Sequence, residues 1–186
     1  MGRVRMFVAL TPPAEARAEL ATVLGALPAP PRLRWTSSEQ WHVTLAFLAE
    51  VDERTHGQLV ERLGRVAKRH PALELALVGG GQFGRRVLWT RVAGDGVPLR
   101  RLVDSVRAAV RRCGLPAEQR PYRPHLTLAR AAGPAAPDLG PLVRSLRDFT
   151  GRPWPATELR LVRSLLGAGP DGTARHEPVA TWPLTG

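Results

Sequence analysis

The 186-residue chain has one cysteine, one lysine and no apolar run long enough to cross a bilayer. With Cys113 alone, no internal disulfide and no thiolate metal cage can form. A chain this long buries roughly 70% of its unfolded surface and needs no such staple. The longest apolar stretch near the start, Met6 to Leu10, is too short for a signal peptide. Position 6 is Met, so the myristoylation pattern opening at Gly2 fails. The expectation is a cytoplasmic protein without a membrane anchor. Acidic residues are also scarce, 16 against 27 cations, giving +11. The charge is spread along the chain, which excludes a disordered basic tail and favours a polyanionic partner. All cations except Lys68 are arginine. Guanidinium forks suit phosphate, but a GC-rich coding sequence produces the same bias, so the charge carries little weight.

Four segments have helical period: 12–27, 52–70, 99–113 and 138–149. The first has Thr11 as expected N-cap, Pro71 stops the second, and Gly114 with Pro116 ends the third. Strand patterns cover 3–10, 41–48, 73–78, 86–92, 125–130, 158–165 and roughly 173–182. This mixture predicts an α+β fold in one domain over 1–186. The glycine- and proline-rich joints at 79–84, 133–137 and 167–172 are too short to be interdomain linkers and are expected as loops.

The chemistry concentrates in a pair of tetrapeptides. His42-Val43-Thr44-Leu45 returns 83 positions later as His125-Leu126-Thr127-Leu128. Composition alone predicts about 0.04 copies of His-x-Thr-Leu, so two by chance is an event of roughly one in a thousand. A single copy would read as a half-buried strand with a polar face. Strand alternation puts His42 and Thr44 on one face and Val43, Leu45 and Phe47 in the core; His125 and Thr127 share a face likewise. Two such strands side by side would present two imidazoles and two hydroxyls. One imidazole can accept a proton near neutral pH while the other donates. The hydroxyls can donate to the non-bridging oxygens of a phosphoryl transition state.

Paired His-x-Thr-Leu motifs about eighty residues apart resemble the two-histidine (2H) phosphoesterase superfamily. Further segments are similar to its LigT/ThpR branch, the RNA 2′,3′-cyclic phosphodiesterases or 2′-5′ RNA ligases. These are Arg5 to Leu10 with Pro12-Pro13, Trp41 to Leu48, Tyr122 to Arg130, and a late strand from Leu161 to Leu166. The resemblance implies a bilobal fold: two pseudo-symmetric antiparallel sheets with outer helices around a central groove. It implies opening of an RNA 2′,3′-cyclic phosphate to a 2′-phosphate without metal or cofactor; a monomer is the default expectation for the oligomeric state. By the same resemblance His42 is the proton donor and His125 the acceptor, although the chemistry of the residues leaves the two roles interchangeable. Thr44 and Thr127 carry over as phosphate-oxygen donors and Arg130 as a phosphate contact. Strict alternation puts Arg130 opposite His125, so it reaches the groove only past a bulge. Tyr122 and Phe47 are candidates to stack an RNA base, although core packing is the expectation for Phe47 and Trp41.

Gly79 to Gly84 formally contains GxGxxG, but a strand follows it where a dinucleotide site needs a helix, so a hairpin is expected. His56 is expected at the surface, His70 at a helix C-terminus, and His176 in the last strand, its burial not set by the pattern. No histidine has metal-ligand spacing with another. The alternatives are a small cyclic-nucleotide phosphodiesterase, a 2′-5′ RNA ligase, or an RNA- or nucleotide-binding module without turnover. Intact histidines and threonines speak against the last.

Overall fold

Strand β1 (Val4–Leu10) sets the layering, because it is buried on both faces. Met6, Val8 and Leu10 belong to the main core, while Phe7 and Ala9 join Val162 in a separate cluster behind them. Period-2 alternation therefore distributes one continuous apolar run between two layers. In the computed structural model residues 4–169 and 173–186 are described; Gly2, Arg3 and 170–172 of the expected 167–172 loop lie outside the described residues.

The main core is closed by helices. Helix α2 (Glu53–Ala67) contributes Leu59, Leu63 and Ala67, one residue per turn along a stripe. Helix α3 (Gly96–Arg112) contributes Leu99, Leu102, Val103, Val106 and Val110. Full burial of each such Leu or Val stabilises the fold by about 1.5–3 kcal/mol before entropy is counted. Asp52 caps α2 by accepting from the Thr55 backbone N–H at 2.8 Å. Helix α1 (Ala14–Gly25) starts after Pro13 without a side-chain cap, so Thr11 does not serve as its N-cap. The fourth helical segment shortens to α4 (Gly140–Ser145).

The strands are β1, β2 (Leu33–Trp35), β3 (Val43–Val51), β4 (Leu73–Phe83), β5 (Val87–Gly94), β6 (His125–Ala131), β7 (Trp154–Ala156), β8 (Glu158–Leu165) and β9 (Arg175–Pro183). They pair in the order β7-β4-β5-β6-β3-β1-β8-β9, antiparallel throughout, with β2 on the edge of β6. The two expected sheets thus form one curled path, β3-β1-β8-β9 and β6-β5-β4-β7. They join edge to edge through a single register pair, Val43 with Leu126.

The glycine run differs from expectation. Gly79 to Gly81 lie inside β4, not in a loop, and only Gly84 marks the turn of the β4–β5 hairpin. The reason is crowding: a Cβ on Gly80 would stand 2.7 Å from Leu146, and one on Gly81 would overlap the Trp89 ring. Strands β2 and β7, of three residues each, carry no readable alternation and were not expected.

Candidate active site

The single β3–β6 register pair organises the site. Val43 and Leu126 face each other with both side chains fully buried. Reading that register one residue outward sets His42 opposite Thr127 and Thr44 opposite His125. Opposed residues of an antiparallel pair share a face, so both imidazoles and both hydroxyls project from the same side. All four are half-buried, flanked by fully buried neighbours.

Each imidazole is held in the same way. His42 Nδ1 lies 2.8 Å from the Gln40 carbonyl, and His125 Nδ1 lies 2.7 Å from the Arg123 carbonyl. A carbonyl can only accept, so Nδ1 carries the hydrogen in both rings. That leaves the Nε2 lone pair of each neutral ring free to take a proton.

Two bulges then rearrange the strands beyond the motifs. In the β1–β3 ladder Val8 pairs with Ala46 and Ala9 with Thr44, which leaves Leu45 as the extra residue. In the β5–β6 ladder Leu88 pairs with Ala129 and Trp89 with Thr127, which leaves Leu128 extra. Both bulges fall three residues after a histidine, and each shifts the alternation by one. Arg130 therefore turns to the histidine face, the condition the sequence required of it. Phe47 moves in the same way. Expected in the core by alternation, it is 65% exposed, because the bulge at Leu45 carries it onto the site face.

The surroundings of the two rings are not equivalent. His42 stacks on Phe7, with centroids 4.4 Å apart and 27° between planes. His176 stands edge-on to both, 5.1 Å from His42 and 5.0 Å from Phe7. His125 instead has Phe83 edge-on at 4.7 Å and Trp89 at 6.2 Å. Burial pushes the His42 pKa down to about 4; the carbonyl of Gln40 opposes this, and His176, Arg130 and His125 add to it. His125 and His176 are lowered as well, first by burial and then by the Arg130 charge. In the free groove the imidazoles near Arg130 are thus held neutral.

Tyr122, a candidate to stack a base, is anchored at its hydroxyl end. Its hydroxyl donates to the Thr44 carbonyl at 3.0 Å, and the Arg107 guanidinium covers its ring at 5.7 Å. It ties the chain leading into the second motif to the strand of the first. Burial raises its pKa above the ordinary phenol range.

The histidines set aside from the sequence separate. His70 lies beyond the end of α2, where its Nε2 meets Ser105 Oγ at 2.9 Å and burial lowers its pKa. It is not a charged ring at a helix terminus. His56 is half-buried, its Nε2 enclosed without a hydrogen-bond partner, rather than solvent-facing. His176 is the residue sequence reasoning missed. It reaches His42 through the β8–β9 register, where it pairs with Ser164, and nothing local to its segment signals that contact. Among the described residues, no three His, Cys, Asp or Glu side chains are placed to hold a metal ion. No helix among the described residues is long and apolar enough to cross a membrane.

Known proteins share both the fold and the sequence. Residues 12–168 match the model of the 2′-5′ RNA ligase superfamily. The chain is 31% identical over 184 residues to an RNA 2′,3′-cyclic phosphodiesterase of Escherichia coli, covering 97% of each protein. It is 30% identical to one of Geobacillus stearothermophilus, covering all of this chain and 59% of that protein. The crystal structure of E. coli LigT in apo form superposes over the full length of both chains with a TM-score of 0.79 at 29% identity. E. coli LigT complexed with 3′-AMP gives a TM-score of 0.77 at 27% identity, again over both chains entirely. The family match spans both histidine motifs and the strands that position them, and the chain belongs to the 2′-5′ RNA ligase superfamily.

Proposed function

We propose that this protein hydrolyses the terminal 2′,3′-cyclic phosphate of RNA to a 2′-phosphate, by paired acid–base catalysis and without a metal ion or cofactor. The observation that carries the reading is the pair of imidazoles, each tied through Nδ1 to a carbonyl two residues upstream, with Nε2 free on a shared face. The names of the relatives support the substrate class, and the 3′-AMP complex of E. coli LigT supports nucleotide binding in a fold of this kind.

In the step itself a water oxygen bonds to phosphorus as the bond from phosphorus to the 3′-oxygen breaks. His125 Nε2 takes the proton of the attacking water, and His42 Nε2–H gives its proton to the departing 3′-oxygen, which leaves as a hydroxyl. The assignment of donor to His42 follows the family resemblance. Exchange with solvent returns both rings to their starting states. Thr44 and Thr127 donate to the non-bridging oxygens, and Arg130 balances the charge that gathers there. His42 lacks its proton in the free groove at neutral pH. The anionic phosphate favours the charged ring, so proton and substrate bind together. One chain supplies every group named, consistent with a monomer working as one bilobal domain over 1–186, and we place it in the cytoplasm with its RNA substrate.

The test is a short RNA ending in a 2′,3′-cyclic phosphate, incubated in excess EDTA, with the phosphate position of the product assigned. A 2′-phosphate from the wild type, absent with His42→Ala and with His125→Ala, is the expected result. A 3′-phosphate product, or turnover abolished by EDTA, would contradict it. Binding without turnover would leave the groove a nucleotide-binding site.

A further inference from the structure

We propose that Arg34, directly opposite Arg130, extends the anion site from the reacting phosphate, which Arg130 meets, to a second subsite that holds the phosphodiester immediately 5′ of the cyclic phosphate when the substrate is an RNA strand. The inference rests on the function proposed above and adds what the groove recognises beyond the reacting nucleotide.

Strand β2 lies on the edge of β6 past the Leu128 bulge, in the register Leu33 with Ala131, Arg34 with Arg130 and Trp35 with Ala129. Directly opposed side chains share a face and stand about 5 Å apart at Cβ. Leu33 and Trp35 pack against the core, so Arg34 between them turns to the other face, where it is exposed. That is the face of Arg130, whose charge is felt at His42, His125 and His176. Two guanidiniums therefore oppose one another across a strand pair.

Like charges in that position destabilise a sheet, and among the described residues neither guanidinium is joined to a carboxylate in an ion pair. Ion pairs elsewhere join Glu61 with Arg65, Glu158 with Arg160, and Glu177 with Arg163 and Arg175. On the other side of Arg130 the ladder partner is Val87. The nearby Arg86 is committed to the Gly133 carbonyl at 2.9 Å and the Ala131 carbonyl at 3.3 Å. A pair left without a carboxylate suits a ligand with two adjacent anionic groups, the reacting phosphate at Arg130 and the next one at Arg34.

The position of the pair identifies that anion. From the reaction centre the edge of β6 runs from Thr127 to the Thr36 backbone N–H, which donates to the Leu128 carbonyl at 2.8 Å, and then to Arg34. The subsite lies along one strand from the reacting phosphate. A 2′,3′-cyclic phosphate is the 3′ end of its chain, so the rest of the RNA continues only in the 5′ direction. The next negative charge on that path is a phosphodiester.

The experiment compares three substrates: adenosine 2′,3′-cyclic phosphate, the adenylyl-adenosine dinucleotide with the same end, and that dinucleotide with an uncharged methylphosphonate linkage. For the wild type, kcat/KM is higher for the charged dinucleotide than for the other two. In Arg34→Gln the ratio of charged dinucleotide to mononucleotide falls about tenfold. The salt dependence on the dinucleotide weakens by about 0.7 in the log–log slope. A ratio unchanged by the substitution overturns the subsite. So does a methylphosphonate dinucleotide used by the wild type as well as the charged one, a readout that needs no variant. A wild type that hydrolyses none of the three removes the functional reading itself, and the subsite with it.

Discussion

The two halves of the site repeat one pattern and then diverge. His42-Val43-Thr44-Leu45-Ala46 and His125-Leu126-Thr127-Leu128-Ala129 share four of five positions, the same Nδ1-to-carbonyl bond and the same bulge. The next residue is Phe47 in one half and Arg130 in the other, and the bulge turns both to the site face. The ring environments diverge too: Phe7 and His176 enclose His42, whereas Phe83 and Trp89 flank a more open His125. Symmetry thus supplies a matched pair of imidazoles, each anchored through Nδ1 to a carbonyl two residues upstream. Asymmetry sets an aromatic side chain at one end of the groove and a cation at the other, and burial lowers the His42 pKa to about 4 in the free groove, so the donor role proposed for His42 depends on the bound phosphate restoring its proton.

The largest effect should come from the shared part. His42→Ala and His125→Ala each lower kcat by about 10²–10⁴-fold, with the double variant close to the worse single, because the residues act as a unit. Additive losses in single-turnover rates would break the idea of a pair.

Next come the residues that differ. Arg130→Ala costs about 10–100-fold in kcat/KM through a lost charge-assisted contact. Phe47→Ala raises KM with kcat nearly kept, because base stacking is worth about 1–3 kcal/mol. Equal and parallel effects of the two on kcat would show that the two ends of the groove do the same work.

The proton affinities give a smaller, spectroscopic signal. Titrating the imidazole resonances should find His42 protonating only near pH 4 in the free protein, below His125. Inorganic phosphate should move His42 upward the more, and His176→Phe should raise it by removing a neighbouring positive charge. An ordinary His42 pKa near 6.5 would remove the distinction between the halves. The smallest effect is structural. Tyr122→Phe leaves the Thr44 carbonyl without its donor and costs about 1 kcal/mol in denaturant unfolding.

What the sequence revealed depended on whether the information was local. The motif histidines and threonines were legible because strand alternation needs only neighbouring residues. Strict alternation failed for Phe47, since a bulge adds one residue; the adjacent apolar pairs Leu45-Ala46 and Leu128-Ala129 are its trace in the sequence. His176 and Arg34 reach the site through the β8–β9 and β2–β6 registers, which no segment encodes by itself. The Gly79–Gly81 run carries a loop pattern in the sequence but lies in a strand, because the Leu146 and Trp89 side chains that exclude a Cβ there come from elsewhere in the chain.

The division of roles between the two histidines is the central claim, and a substrate with sulfur in place of the departing 3′-oxygen tests it most directly. A thiolate leaves without a proton, so only the acid becomes dispensable. His42→Ala should regain most of the wild-type rate on the sulfur substrate while His125→Ala remains inactive. Rescue of His125→Ala instead, or of neither variant, would contradict it.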